Sequence, residues 1–317
     1  METLYRVLVV GAGAMGCLLG ARFAEAGADV WLLDVDEAHV TAIRKRGLEL
    51  EELNGDRRTI PLRALSKREP PEAPADLILV MVKSYATVRA LDLVHPDAVG
   101  SQTLFLSLQN GLGNAETLAD LVGPAKVLAG VTAQGATKEG PGRVRHGGRG
   151  PTYFGALGGP QPPGADAVLT LFRRAGLEAH YRQDIRSLIW EKLLVNVGIN
   201  AVTALCGIPN GAVAELEPAR ELCAAAVREA AAVAEAEGIA VPEDVVQKVL
   251  NVARATAANR SSMRQDVESG RRTEIDAING AVVRLAGRHG LAVPVNWTLT
   301  RLVETKERSY GGESPKA

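Results

Sequence analysis

Residues 4–36 read LYRVLVVGAGAMGCLLGARFAEAGADVWLLDVD, and they carry the clearest structural pattern in the first half of the chain. A short β-rich run ends in the glycine turn GAGAMG at residues 11–16, which passes directly into a helical pattern that stops at Gly27. A second strand follows and ends at Asp34. A GxGxxG turn that follows a strand, opens a helix and has an acidic residue after the next strand is typical of dinucleotide-binding folds.

The turn and the end of the second strand also indicate which dinucleotide binds. Glycines let the backbone turn tightly and approach a pyrophosphate at the positive end of the helix. The predicted cofactor contacts of the turn are Gly11, Gly13, Ala14, Met15 and Gly16. The Asp34 carboxylate can accept hydrogen bonds from a ribose 2′-hydroxyl but would repel a 2′-phosphate, and the nearest basic cluster in the sequence, residues 44–46, lies a helix away. These residues favour NAD(H); the other interpretation of Asp34 is a surface or capping aspartate.

Alternating strands and helices continue through the first half of the chain. Asp36 is the expected cap of a second helix, a hairpin turns at Asn54-Gly55, and ADLILVMV at residues 75–82 is typical of a buried parallel strand. This order predicts an α/β domain with a doubly wound parallel sheet, whereas the second half shows helical patterns alone. We expect a dinucleotide-binding Rossmann domain over residues 1–184, an all-α substrate domain over residues 185–308 and a polar tail over residues 309–317.

The helical half opens with an apolar helix that carries one polar stripe. In LIWEKLLVNVGINAVTALCG, residues 188–207, the side chains of Lys192, Asn196 and Asn200 recur every fourth residue and share one face. Burying an ammonium group and two carboxamides without partners costs several kcal/mol. Something polar should therefore lie against the stripe, either a neighbouring helix whose hydrogen bonds set the register or a ligand.

Lys192 has the chemistry that a nicotinamide reaction requires. Hydride delivered to a carbonyl carbon places negative charge on the oxygen, which must be stabilised and protonated. An ammonium group does both, and desolvation on an apolar helix lowers its pKa toward a useful range. Asn196 and Asn200 are neutral donors that can bind polar substrate atoms without competing for the proton.

Two further segments at predicted helix starts are rich in hydrogen-bonding groups. Ser262 with Gln265 and Thr273 with Asp276 both fit capping boxes. Glu274 in a first turn can also simply complement the helix dipole. Ser262 and Glu274 are therefore either ligand contacts or helix-end groups.

Composition limits the classes of function. The chain has 317 residues, 46% of them hydrophobic, and a net charge of -1, so no attraction to nucleic acid or anionic membranes is expected. The basic run at residues 143–149 is interpreted as a solvated hairpin arm. Three distant cysteines predict neither a disulfide framework nor a metal site, and the five histidines stand outside any nucleophile motif. With no secretory signal and no apolar run of about 18 residues, we expect a cytoplasmic protein.

Five segments together resemble one enzyme family over nearly the whole chain. They are GAGAMG at 11–16, VKS at 82–84, QNG at 109–111, EKLLVNVGIN at 191–200 and SSMRQDVESGRRTEIDAINGAVV at 261–283. The chain is on these motifs similar to ketopantoate reductases. The resemblance implies a Rossmann domain followed by a helical domain similar to the C-terminal domain of 6-phosphogluconate dehydrogenase. It also implies reduction of ketopantoate to (R)-pantoate, in the synthesis of pantothenate and coenzyme A, at a site in the cleft between the domains.

The resemblance also implies a role for each matching residue. Lys192 would be the general acid, and Glu274 would hold a substrate hydroxyl and orient it. Asn110 would lie where cofactor and substrate meet, with Glu274 also beside the cofactor, and Lys83 would lie near the nicotinamide. The residues expected to bind the carboxylate and hydroxyl ends of the substrate are Asn196, Asn200 and Ser262.

The cofactor and two alternative functions stay open. The family mostly uses NADPH and has a basic residue near the end of the second strand, whereas this chain has LDVD at residues 33–36, so we expect NADH to be used at least as well as NADPH. A β-hydroxyacid or 6-phosphogluconate-type dehydrogenase would also place a Lys and an Asn four residues apart. A dinucleotide-sensing module without turnover would have no need for Lys192 together with Glu274. The Ala-rich helix around residues 219–237 can serve as a packing surface either within the chain or between the chains of a homodimer.

Overall fold

The computed structural model describes residues 4–311, and these form two compact units. The first unit comprises residues 4–109 and 114–185, and the second comprises residues 110–113 and 186–311. The sequence suggested one division after residue 184. The structure instead groups the short segment 110–113 with the helices that follow much later in the chain. The end of the predicted polar tail, residues 312–317, lies outside the described residues.

The first unit contains all the strands found between residues 4 and 311, together with five helices. The strands are β1 (Arg6–Val10), β2 (Asp29–Leu33), β3 (Leu48–Glu51), β4 (Arg57–Ile60), β5 (Arg63–Leu65), β6 (Ala75–Val80), β7 (Val99–Ser107), β8 (Val127–Thr132), β9 (Gly135–Gly140), β10 (Arg143–Gly148), β11 (Thr152–Gly155) and β12 (Ala179–Tyr181). The helices are α1 (Ala14–Glu25), α2 (Glu37–Arg46), α3 (Thr87–Leu91), α4 (Asn114–Val122) and α5 (Ala165–Arg174).

Eight strands form one sheet in the order β12-β11-β8-β7-β6-β1-β2-β5. Every neighbouring pair is parallel except β8 with β11. Val7, Val9 and Val10 of the central strand β1 are almost completely buried, as expected for a sheet covered on both faces. The predicted fold class, an α/β sheet domain followed by a helical domain, is confirmed.

A second sheet of four strands, in the order β4-β3-β10-β9, packs against helix α1. It contains the predicted hairpin, in which β3 pairs antiparallel with β4 around Asn54-Gly55. Helix α1 contacts β2 of the large sheet and both β9 and β10 of the small one. The basic run on β10 is only partly the solvated arm that was expected, because His146 is buried and faces Glu52 and Gln134.

The second unit is helical, as its sequence pattern predicts. Its helices are α6 (Ile185–Cys206), α7 (Asn210–Glu215), α8 (Glu217–Ala236), α9 (Val245–Ala255), α10 (Ser262–Glu268), α11 (Asn279–His289) and α12 (Pro294–Arg308). Short 3-10 turns lie in the two units at Ser84–Ala86, Pro96–Ala98, Pro124–Lys126, Ile275–Ala277 and Ser309–Gly311.

Helix α6 forms much of the core of the second unit. A Cβ added at Gly198 would lie 2.8 Å from the Cys223 Sγ and the Val227 Cγ2, so α8 packs directly onto the α6 backbone there. By length and composition α6 could span a membrane, which corrects the expectation that no apolar run would be long enough. Its most apolar window is 61% buried within the protein, however, so its apolar side chains are used for the core.

Candidate active site

The glycine turn at residues 11–16 is tight, as its sequence suggested. Gly11 has φ +100°, and a Cβ there would lie 2.6 Å from the backbone nitrogen of Val82. A Cβ at Gly16 would lie 2.0 Å from the Gly11 carbonyl oxygen, so no side chain fits at either position. At Gly13 an added Cβ would meet nothing within 4 Å, so the middle of the turn faces open space.

Helix α1 begins in this turn with an end that suits an anion. Its N-cap is Gly13, no side chain caps it, and its first turn carries no acidic residue. Ala14 and Met15 are partly exposed beside the open middle of the turn. Backbone N–H groups and the positive end of the helix dipole together bind phosphate groups well. The turn therefore fits the pyrophosphate of a dinucleotide.

The other cofactor candidates of the first unit lie at the same edge of the large sheet. The carboxyl ends of β1, β2 and β6 are in register, since Val10 pairs with both Leu33 and Val80. Asp34 follows β2 directly and is half-buried, and its Oδ1 accepts a hydrogen bond from the Asp36 backbone at 2.9 Å. Lys83 follows shortly after β6, half-buried. Ligands of open parallel sheets bind outside this carboxyl edge.

A basic residue does lie near the end of β2, contrary to the expectation from the sequence. The Nζ of Lys138, on β9, lies 2.8 Å from Oδ2 of Asp36. This hydrogen bond is the main reason why the pKa of Asp36 lies below its ordinary value. The side chain of Asp36 also accepts a hydrogen bond from the His39 backbone, so Asp36 caps α2 as predicted. Because Lys138 and Asp36 are distant in sequence, no local pattern indicates the pair.

Gln109 positions the segment that carries Lys83, a role that sequence reasoning missed. Its Nε2 donates to the Val82 carbonyl oxygen at 2.8 Å and to the Thr87 Oγ1 at 2.9 Å. Ser107 donates to its Oε1 at 3.0 Å, so this buried amide joins the end of β7 to the chain beyond β6. The sequence signal that could have indicated this role is the polar Gln109 directly after the apolar run TLFLSL.

One histidine does lie beside a cysteine, although it forms no nucleophile pair. The His39 Nε2 is 3.3 Å from the Cys17 Sγ, and both residues are completely buried. Burial raises the pKa of the Cys17 thiol and lowers that of the His39 imidazole. The thiol stays protonated and donates to the Ala12 carbonyl oxygen, which supports the glycine turn.

In the second unit, the polar stripe of α6 has the geometry that its spacing predicts. Asn200 is buried, and Lys192 and Asn196 are half-buried. The side at Gly198, which packs on α8 and α9, lies roughly opposite Asn196 around the helix. Among residues 4–311 the side chains of Asn196 and Asn200 make no hydrogen bond to any other group. A hydrogen-bond network that sets helix register therefore does not account for these two carboxamides.

Lys192 has an ammonium group that is easy to deprotonate. Burial lowers its pKa from the ordinary 10.5 to about 8, and the negative charge of Glu274 opposes that shift. Glu274 is itself buried, with 6% of its surface exposed. The two groups therefore interact electrostatically within the second unit. A lysine with this pKa is mostly protonated at neutral pH and still able to give up its proton.

Asn110 reaches this group because its segment packs on the turn that follows Glu274. The Leu112 N–H donates to the Ala277 carbonyl oxygen at 2.9 Å. Gly111 has φ +86°, and a Cβ there would lie 2.3 Å from the same oxygen, so only glycine fits. The Asn110 Nδ2 then donates to Oε2 of Glu274 at 3.4 Å.

Both capping-box predictions are wrong in detail. Ser261, not Ser262, caps α10: its hydroxyl accepts from the Arg264 backbone at 3.1 Å and lies 2.7 Å from the Thr203 Oγ1 of α6. Ser262 is the exposed first residue of α10, so its hydroxyl is available for a ligand. The Ser261–Thr203 contact holds the start of α10 one turn beyond Asn200.

The second predicted box does not form because no regular helix starts there. The Thr273 hydroxyl accepts from the Ile275 backbone at 3.1 Å, and Asp276 forms an ion pair with Arg272. Glu274 begins a single 3-10 turn, and α11 starts only after Ile278. A helix dipole is therefore not the reason for a carboxylate at Glu274.

The structure thus brings Lys192, Asn196, Asn200, Asn110 and Glu274 together in the second unit. It places the glycine turn, Asp34 and Lys83 along one sheet edge in the first unit. A sheet edge that fits a dinucleotide and an acid of suitable pKa, set among amide donors and a carboxylate, are what hydride transfer to a carbonyl requires. The class that these features define is a nicotinamide-dependent oxidoreductase.

Comparison with known proteins identifies the family. The family model described as "Ketopantoate reductase PanE/ApbA" matches residues 7–159, and "Ketopantoate reductase PanE/ApbA C terminal" matches residues 184–307. A 2-dehydropantoate 2-reductase of Halobacterium salinarum is 41% identical over 96% of this chain and 99% of its own length. The chain belongs to the ketopantoate reductase family.

Solved structures with a similar fold include a member of the same family and an enzyme of another named activity. The crystal structure of a PanE/ApbA family ketopantoate reductase from Ralstonia eutropha has a TM-score of 0.87 at 34% identity, covering 96% of this chain and 99% of that one. A D-mandelate dehydrogenase, solved with NADH and anilino(oxo)acetate, has a TM-score of 0.90 at 29% identity, covering 97% and 100%.

Proposed function

We propose that this chain is a 2-dehydropantoate 2-reductase, which reduces ketopantoate to (R)-pantoate with a nicotinamide cofactor. The observation that carries the proposal is the Lys192 ammonium, whose pKa is lowered to about 8 and which interacts electrostatically with the buried Glu274. Relatives with this activity in their names are 32–41% identical over nearly the whole chain.

Ketopantoate offers a match for each polar group of the second unit. It carries a carboxylate, a 2-keto oxygen and a hydroxyl at its far end, with a methylated carbon between. Asn196 and Asn200 have donors without partners among the described residues, and these suit the carboxylate. The Glu274 carboxylate suits the far hydroxyl, and Ser262 is exposed beside the same helix.

The chain's own residues then provide the acid and the charge. The bound nicotinamide supplies hydride to the keto carbon. Lys192 donates a hydrogen bond to the keto oxygen, stabilises its growing negative charge and transfers a proton from Nζ to it. Glu274 favours the protonated form of Lys192 and orients the substrate hydroxyl, and Asn110 holds Glu274 in place.

For the cofactor, the proposed contacts are the glycine turn with Ala14 and Met15 for the pyrophosphate, Asp34 for the ribose and Lys83 for the nicotinamide side. Asn110 and Glu274 would border the cofactor as well as the substrate. Asp34 supports the use of NADH at least as well as NADPH. A value of kcat/KM for NADPH more than about tenfold above that for NADH would contradict this preference.

The test is the oxidation of NADH and NADPH followed by absorbance with ketopantoate, repeated on Lys192→Ala and Glu274→Gln. Loss of the acid should lower kcat by about two to four orders of magnitude, while cofactor binding persists. Oxidation of 3-hydroxyacids with NAD⁺ or NADP⁺ that is faster than the reduction of ketopantoate would overturn the proposal. If the unmutated chain binds dinucleotide without turnover, and Lys192→Ala keeps both that binding and the response to it, the chain is a dinucleotide-sensing module instead.

The likeness to D-mandelate dehydrogenase supports a second candidate, the reduction of aromatic 2-keto acids such as phenylglyoxylate. The two substrates differ at the group that Glu274 would bind, because phenylglyoxylate has no far hydroxyl. Glu274→Gln should therefore lower kcat/KM for ketopantoate more than for phenylglyoxylate. Equal losses, with phenylglyoxylate the better substrate of the unmutated chain, would favour the second candidate.

A further inference from the structure

Lys138 is joined to the carboxyl end of β2 through two aspartates. Its Nζ lies 2.8 Å from Oδ2 of Asp36, whose other oxygen accepts from the His39 backbone at 3.0 Å. The Asp36 N–H in turn donates to Oδ1 of Asp34 at 2.9 Å. The Lys138 ammonium is therefore linked through Asp36 alone to Asp34, the carboxylate proposed to bind the ribose.

The strand that carries this ammonium, β9, packs against α1. Burial raises the pKa of the Cys17 thiol, the Asp34 charge adds to that rise, and the Lys138 charge opposes it. Cys17 lies in the first turn of α1, directly behind the glycine turn. Both charges thus act at the place where a dinucleotide is expected. The side chain of Lys138 is 30% exposed and that of Asp36 is 43% exposed, so a ligand can reach the pair.

A 2′-phosphate at this position would meet two carboxylates and one ammonium. Nearly two negative charges on the phosphate are repelled by Asp34 and Asp36, whereas Lys138 attracts them. Lysine binds phosphate as a point charge on a flexible stem and can exchange partners by rotating a few bonds. When the bound dinucleotide carries a 2′-hydroxyl, Asp34 accepts a hydrogen bond from it and Lys138 keeps its ion pair with Asp36.

We propose that Lys138 is a specificity residue for the cofactor: it leaves Asp36 to pair with a 2′-phosphate, and so lets this chain bind NADP(H) as well as NAD(H). The inference rests on the proposed function, because it assigns a residue to the cofactor site of that reaction.

The experiment measures binding of NAD⁺ and of NADP⁺ by calorimetry, without keto acid. The variants are Lys138→Gln, Lys138→Arg and Asp36→Asn, with Lys45→Gln as control. Lys45 is an exposed lysine of α2, so its loss makes the same change in net charge away from the pair. Asn is as good an N-cap as Asp, so Asp36→Asn keeps the start of α2.

Lys138→Gln should weaken NADP⁺ binding about tenfold, equivalent to roughly 1.4 kcal/mol, and change NAD⁺ binding less than about twofold. Lys138→Arg should keep NADP⁺ binding. Asp36→Asn should strengthen it, because the ammonium loses its competing partner. Lys45→Gln should leave both dissociation constants unchanged.

Equal weakening of both dinucleotides by Lys138→Gln would show a purely structural role and overturn the inference. NADP⁺ binding unchanged in that variant would overturn it too. Both results leave the proposed reductase intact, since the unmutated chain still binds cofactor. Failure of the unmutated chain to bind either dinucleotide would contradict the proposed function itself.

Discussion

Replacing Lys192 by Met should abolish the reaction and at the same time stabilise the protein. Methionine keeps much of the length and the apolar stem of lysine but carries no charge. The shift of the Lys192 pKa from 10.5 to about 8 corresponds to a cost of about 3 kcal/mol for keeping the ammonium in the folded chain. That cost already includes the attraction of Glu274, so the net effect of removing the charge is stabilising.

The sign of the effect sets its pH dependence. Because the folded pKa is lowered, the unfolded chain binds more protons between about pH 8 and pH 10.5, and the stability of the unmutated protein rises with pH across that window. The gain from Lys192→Met should thus be greatest below about pH 8 and disappear toward pH 10.5. We expect about 2 to 3 kcal/mol at neutral pH.

Urea unfolding followed by tryptophan fluorescence is the assay, because Trp190 lies on α6 and is 3% exposed. The matched control is Lys248→Met on α9, where the lysine side chain is 51% exposed and the change should stay within about 0.5 kcal/mol. A Lys192→Met protein that is less stable than the unmutated chain at neutral pH would refute the reasoning. So would a gain that stays the same up to pH 10.5.

Two further predictions concern the same group of residues. The value of kcat/KM should fall as pH rises through about 8, since the acid form of Lys192 is lost. Glu274→Gln should move this fall to lower pH by removing the charge that favours the ammonium. A fall at the same pH in the variant would argue against the interaction between Lys192 and Glu274. Gly111→Ala should lower kcat at least about tenfold, because its Cβ collides with the Ala277 carbonyl oxygen and displaces the neighbouring amide. Gly113→Ala is the control: it has a similar positive φ but open space around the added Cβ, so equal losses of kcat in both variants would point to backbone strain instead.

Local sequence patterns predicted much of the fold, because they reflect local geometry. The GxGxxG pattern predicted a tight turn, and Gly11 and Gly16 have no room for a Cβ in it. The spacing of Lys192, Asn196 and Asn200 predicted one polar face on α6, since a helix repeats nearly every fourth residue.

Helix ends were less predictable than helix faces. Ser261 and Ser262 are adjacent and chemically identical, and the one that caps α10, Ser261, also contacts Thr203 on another helix. The run after Thr273 has the letters of a capping box, yet the chain makes a single 3-10 turn there. Tertiary packing overrides local preference at such positions.

Local sequence is enough to predict much of the order of strands and helices, the glycine turn and the amphipathic stripe, since each depends on residues a few positions apart. Only the packing of distant elements brings Asn110 to Glu274 and Lys138 to Asp36. The two residues of each pair are 164 and 102 positions apart, respectively. Contacts of this kind arise from how whole elements pack. The lowered pKa of Lys192 follows from the same packing, because the burial of a side chain depends on the folded structure and not on the residues next to it in sequence.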